Sequence, residues 1–215
     1  MTNTLHRQGT LESLKNDYII FAHTAKGITH EGSGPKLQAF MRICLKYHPV
    51  NIGDYIQGNI HQDDIDIQKL ISNQGDGSGA LAVFTDLNTL QKVVEELIRA
   101  DLGLSINISG LLDEVKECCQ RAGLQRHSVE HSFAFWGARD RLPERDILIF
   151  NTMCGHGMVS FNLIRKMIEY VKLRRLTPKK AARMMAKCCE CGAFNPVRAE
   201  MFLEKMKKGD KGIGK

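Results

Sequence analysis

Short apolar runs alternate with amphipathic segments along most of the chain. Three of these runs have the length and composition of buried strands, namely DYIIFAH (17–23), ALAVFTD (80–86) and LSINISG (104–110). Two further stretches also fit a strand: QRHSVEHSFAFWG (125–137), which alternates in polarity, and RDILIFNTM (145–153). The pattern therefore predicts at least five strands.

Helical periodicity occupies most of the intervals between these strands. It covers LNTLQKVVEELIRADLG (87–103), LLDEVKECCQRAG (111–123) and SFNLIRKMIEYVKLRR (160–175), the last with Ser160 as its N-cap. Repeated strand–helix alternation favours an α/β fold with a mainly parallel, helix-covered sheet. A ferredoxin-like α+β sandwich is the alternative.

The organisation along the chain follows from the same pattern. Residues 1–16 are polar and predict a flexible N-terminus, and residues 17–173 predict the α/β domain. Residues 174–215 predict a basic helical segment packed on that domain. Thr177–Pro178 and Asn195–Pro196 each place a capping side chain before a proline, which suits the first turn of a helix.

Composition and charge narrow the class of protein. Hydrophobic residues make up 43% and charged residues 25% of 215 residues, typical of a globular protein, and no apolar stretch predicts a membrane span or a secretory signal. We therefore expect a cytoplasmic protein whose seven cysteines stay reduced. The oligomeric state does not follow from the sequence.

Charge is distributed unevenly along the chain. The net charge is +6, but residues 172–215 carry 13 Lys/Arg against 4 Asp/Glu. A basic C-terminal segment predicts contact with an anionic partner or a phosphate-bearing ligand. Nucleic acid is the less favoured partner, because aromatic residues that could stack on bases do not interleave with these charges.

Two short cysteine-containing segments carry the strongest chemical signal. NTMCGHGMVS (151–160) contains Cys154 and His156, and KCCECGAFNP (187–196) contains Cys188 and Cys191 in C-x-x-C spacing, with Cys189 as an alternate ligand. Thiolate and imidazole are ligands of zinc and of iron–sulfur clusters. If the two segments meet, they predict a zinc or iron–sulfur centre with a redox or accessory role.

The first alternative is a metal-free enzyme that uses Cys154 as the nucleophile. His156 would act as the base, and the backbone amides around Gly155 and Gly157 would hold a developing anion. This interpretation places the segment after the carboxyl end of a strand, where α/β sheets bind ligands. The residues alone do not decide whether the chain is an enzyme.

A second glycine-containing loop, HTAKGITHEGSGPK (23–36), could cradle a phosphate or a carboxylate. Lys26, Gly32 and Gly34 are its candidate binding residues, although the order of residues is not that of a P-loop. The remaining alternative for function is a module that binds RNA or an acidic partner through the basic C-terminal segment.

Overall fold

The computed structural model of the chain describes residues 7–131 and 135–209. Within these ranges, nine α-helices and five strands follow one another. Their order is α1 (Leu11–Leu14), β1 (Tyr18–His23), α2 (Ser33–Lys46), β2 (Asn51–Asp54), β3 (Gly58–Asn59), α3 (Ile67–Ser72), β4 (Gly79–Phe84), α4 (Leu87–Ala100), β5 (Ser105–Ser109), α5 (Leu112–Arg121), α6 (Arg145–Asn151), α7 (Phe161–Lys172), α8 (Pro178–Lys187) and α9 (Pro196–Lys207).

The sheet is antiparallel throughout, so the prediction of a mainly parallel sheet is wrong. Its strand order is β3-β2-β4-β1-β5, and every neighbouring pair runs antiparallel. Helix α2 does connect two strands that point the same way, β1 and β2, but β4 lies between them. Likewise β1 separates β4 from β5. The α+β alternative is compatible with this arrangement.

Helices cover both faces of the sheet. One core packs α2, α3 and α4 against side chains such as Ile20 and Ala82, and the other packs α6 to α9 against Ile19 and Phe21 on the opposite face. Successive side chains of β1 point to opposite faces of the sheet and pack into both cores. All residues from Tyr18 to Ala22 are therefore buried.

The segment at 145–153 is a helix, although its apolar run predicted a strand. Within α6 and the turn that follows, Ile147, Phe150 and Cys154 are buried and recur every three or four residues, which is helical spacing. The first cysteine segment consequently follows a helix and not the carboxyl end of a strand.

The strand predicted at 125–137 is also absent from its described part. Residues 125–131 and 135–137 form no regular element, and residues 132–134 lie outside the described residues.

The predictions for the C-terminal helices are confirmed. Ser160, Thr177 and Asn195 accept a hydrogen bond from the backbone amide three residues on, at the starts of α7, α8 and α9. None of the helices in the described ranges is both long and apolar enough to cross a membrane.

The two edges of the sheet differ. Strand β3 has two residues, both buried, whereas no residue of β5 is buried and Ser105 is exposed. Among the described residues, β5 has β1 as its only strand partner.

Candidate functional site: a cluster of three thiols beside a cavity

The first cysteine segment is a tight loop between α6 and α7. The Asn151 side chain donates to the carbonyl of Val159 at 2.8 Å and closes the loop, and the Gly157 amide donates to the Cys154 carbonyl at 3.0 Å. Gly157 adopts φ = 67°, a left-handed conformation that suits glycine. The chain therefore turns around Cys154, whose exposed fraction is 2%.

The second cysteine segment is the corner between α8 and α9, and the β2–β3 hairpin holds it in place. The buried side chain of Asn59 donates to the carbonyls of Ala186 and Cys189, at 3.3 and 2.7 Å. A Cβ on Gly53 would lie 2.9 Å from the Cys191 carbonyl oxygen, so the backbone of the corner rests directly on β2. Sheet and corner thus fix the position of the cysteines.

Three sulfur atoms from the two segments lie together. The sulfur of Cys189 is 4.0 Å from that of Cys191, and its interaction with Cys154 shifts the pKa of both Cys154 and Cys189. All three side chains are buried, with exposed fractions of 0 to 5%. We call this group the thiol cluster: Cys154, Cys189 and Cys191. The two segments do meet, and Cys189 lies at the centre.

Either sulfur can donate in the contact between Cys189 and Cys191, and the pKa directions favour Cys189 as the thiol that keeps its proton. The hydrogen bond from Cys189, helped by backbone amides of the 154–160 loop, lowers the pKa of Cys154 below its ordinary value. The same donor, together with the amide of Ala193, lowers the pKa of Cys191. Its hydrogen bonds to both neighbours, and then burial, raise the pKa of Cys189 well above the usual range. Cys154 and Cys191 are therefore the members of the cluster that lose a proton most readily.

A cavity of about 530 Å³ adjoins the cluster, and Cys191 is the member that lines it. The other walls come from the end of β1, the turn before β4, Tyr55 after β2, and both cysteine segments. The lining residues are His23, Thr24, Tyr55, Gly77, Ser78, His156, Met158, Glu190 and Cys191. Burial lowers the pKa of His23, so this ring is neutral near pH 7.

The other residues proposed as metal ligands lie around this cluster. Cys188 is half-buried, and its sulfur is 3.7 Å from the carbonyl of Met184. His156 is exposed at the cavity. Across residues 7–131 and 135–209, no group of three or more His, Cys, Asp or Glu side chains is arranged to hold a metal ion.

The amides of the β1–α2 loop already have an anionic partner. Gly32 and Gly34 donate to the two carboxylate oxygens of Asp76, at 2.8 and 2.7 Å, and these bonds lower the pKa of Asp76. Lys26 is exposed in the same loop. The loop's turn is thus held by a carboxylate of this chain, at the position where the sequence suggested an external phosphate or carboxylate.

A buried ion network contacts both cysteine segments. The Asp17 carboxylate lies 2.8 Å from Nη1 of Arg198 and 3.1 Å from Nε of Arg7, and all three side chains are almost fully buried. Arg7 also donates to the carbonyl of Met153, which precedes Cys154, and to that of Ala193, two residues after Cys191. One arginine therefore ties both cysteine segments together.

Sequence reasoning missed this network. Arg7 lies in a segment predicted to be flexible, and Arg198 resembles one more surface charge of the basic C-terminal segment. An arginine within the buried stripe of α9 is the one local signal, because Ala199, Phe202 and Leu203 on the same helix are buried.

Some of the basic residues in the C-terminal segment form ion pairs within the chain. Arg198 is buried against Asp17, and Lys187 pairs with Asp63. Lys179, Lys180 and Arg183 are exposed on α8. Contact with an anionic partner stays a prediction.

Comparison with models of known protein families, with curated proteins and with solved structures finds no significant match.

Proposed function

We propose that this chain is a thiol–disulfide redox protein that reduces a disulfide bound in the cavity beside the thiol cluster. The observation that carries the proposal is the position of Cys189, whose sulfur lies 4.0 Å from that of the cavity-lining Cys191. Cys154 is close enough to Cys189 to shift its pKa. Such an arrangement supplies an attacking thiolate, a second thiol within reach of it, and an acceptor for the second thiol's proton.

The first step is attack by the Cys191 thiolate on a disulfide R–S–S–R′. A Cys191–S–S–R bond forms, the R–S–S–R′ bond breaks, and R′–S⁻ leaves. This differs from the sequence-based alternative, in which Cys154 is the nucleophile, because Cys191 is the clustered cysteine that lines the cavity.

The second step uses the rest of the cluster. Cys189 passes its proton to the Cys154 thiolate and attacks the Cys191 sulfur, which forms a Cys189–Cys191 disulfide and expels R–S⁻. The substrate disulfide gains two electrons and the pair of protein thiols loses two. A separate dithiol reductant must then reduce the Cys189–Cys191 disulfide.

The test is reaction of the reduced protein with an aromatic disulfide whose thiolate is coloured. We expect a fast phase that releases two coloured thiolates per chain and leaves no adduct, because Cys189 resolves the mixed disulfide. Cys189→Ser should release one thiolate and retain an adduct on Cys191. Cys191→Ser should lose the fast phase.

Cys188→Ser is the matched control, since Cys188 is in the same corner but outside the cluster. It should behave as the wild type, with peptide mapping to locate each modified cysteine. A fast phase that survives in Cys191→Ser, or that maps to Cys188, would contradict the proposal.

The pH profile of the fast phase is a separate prediction. Because the hydrogen bond from Cys189 lowers the pKa of Cys191, the rate should reach its plateau below the ordinary thiol pKa of about 8.5. Cys189→Ala removes the donor, so its inflection should move to higher pH, as measured by stopped-flow absorbance. An unchanged inflection would show that Cys189 does not stabilise the thiolate.

The zinc or iron–sulfur centre stays a prediction. Anaerobically purified protein with less than about a tenth of an equivalent of transition metal would reject it, and the thiol reaction above can be measured on the same sample.

A further inference from the structure

Strand β5 is an exposed sheet edge whose sequence is the same in both directions. Residues 105–109 read Ser-Ile-Asn-Ile-Ser, with Asn107 at the centre. Among the described residues its outer side has no strand partner, and its side chains are half-buried or exposed, whereas almost every residue of β1, β2 and β4 is buried. An unpaired edge of this kind is a template for another strand.

The two faces of β5 differ in chemistry. Ile106 and Ile108 lie beside Ala22 and Ile20 of β1 and belong to the core under α2 and α4. Ser105, Asn107 and Ser109 point to the opposite face. Any strand added at this edge must therefore continue an apolar row on one face and a polar row on the other.

A second β5, added antiparallel about a two-fold axis at Asn107, meets both requirements. Ile106 then faces Ile108 of the second copy, Ser105 faces its Ser109, and Asn107 faces itself. Antiparallel pairing about a two-fold axis gives identical surfaces on both chains, as in most homodimers. In this register all five residues are paired with a side chain of their own kind.

Two further observations point to the same edge. A groove of about 790 Å³ runs along β5, and its lining includes the exposed apolar side chains of Leu112, Leu124 and Val129. The amide nitrogen of Asn107 is buried and has no hydrogen-bond partner among the described residues. For this nitrogen to donate to the side-chain oxygen of the Asn107 opposite, the side chain must rotate out of its buried position.

We infer that the chain forms a two-fold symmetric dimer through β5–β5 pairing, with a second copy of itself as the partner. The dimer continues the five-stranded sheet into ten strands. This inference is independent of the thiol chemistry, since β5 lies at the opposite edge of the sheet from the hairpin that holds the cysteine corner.

The experiment relies on the proposed register, in which residue 107 faces residue 107 of the second copy. Sedimentation of the wild-type chain over a range of concentrations should show a species of twice the chain mass. Asn107→Asp and Asn107→Lys each place like charges opposite one another, so each should raise the dimer dissociation constant at least about tenfold. Mixing the two variants should restore a dimer with one chain of each.

The mixing step also controls for misfolding, because a chain that has not folded cannot regain the dimer from an oppositely charged copy. Glu117→Lys, on the exposed side of α5, is the matched control and should leave the dimer intact. A wild-type chain that stays monomeric at all concentrations overturns the inference. That result is expected if the chain's own residues 125–131 block access to β5. A mixture that forms no heterodimer overturns the inference as well.

Discussion

Asp17→Ala should lower the free energy of unfolding by about 3–5 kcal/mol, because it leaves two buried guanidinium groups without their counter-charge. The Asp17 carboxylate also accepts a hydrogen bond from the Asn195 side chain at 3.0 Å. Urea denaturation of wild type and variant measures the difference. Asp17→Asn retains the shape and one acceptor, so its loss should be smaller.

Glu117→Ala is the control for this prediction. Glu117 pairs with Arg121 on the surface of α5, and both side chains are more than half exposed. Its removal should cost less than about 1 kcal/mol. A cost for Asp17→Ala as small as this would mean that the two arginines find other partners or water when the carboxylate is lost.

Gly53→Ala should damage the site as well as the fold. The added Cβ would lie 2.6 Å from the Gly58 carbonyl oxygen and 2.9 Å from that of Cys191, both of them backbone atoms that a side-chain rotation cannot clear. We expect a loss of about 1–3 kcal/mol in stability. Displacing the corner should also slow the fast thiol phase by about tenfold or more.

Gly75→Ala is the matched substitution. Its Cβ would point into open space, and Gly75 has an ordinary backbone conformation. Stability and thiol kinetics should therefore stay close to those of the wild type. If Gly53→Ala loses stability but keeps wild-type kinetics, the hairpin supports the fold without positioning the cysteines.

Local sequence signals predicted the individual elements better than their arrangement. Capping side chains and prolines at 177–178 and 195–196 placed α8 and α9 correctly, because these interactions are formed within one turn. Strand order depends on which strand fills the gap between β1 and β2, and no local pattern contains that information. The parallel sheet was therefore a wrong inference, although three of the predicted strands, those at 17–23, 80–86 and 104–110, are present.

The same distinction applies to the site. The sequence left open whether the 154–156 and 188–191 segments meet, and the structure brings Cys154 close to Cys189 and Cys191. Which of two adjacent cysteines turns inward depends on how the corner sits on Gly53 and Asn59, more than 120 residues earlier. These contacts are set by tertiary packing, so the position of Cys189 between the other two cysteines was not predictable.

Strand β3, at the opposite edge of the sheet from β5, limits the number of chains that can join. Strand β3 has two residues, both buried, and so short an edge strand gives another chain little backbone to pair with. A polymer of sheets needs two edges that can pair on every subunit, and residues 7–131 and 135–209 of this chain offer one. Association through β5 should therefore stop at the dimer, which protects a protein with an exposed edge strand from growing into fibrils.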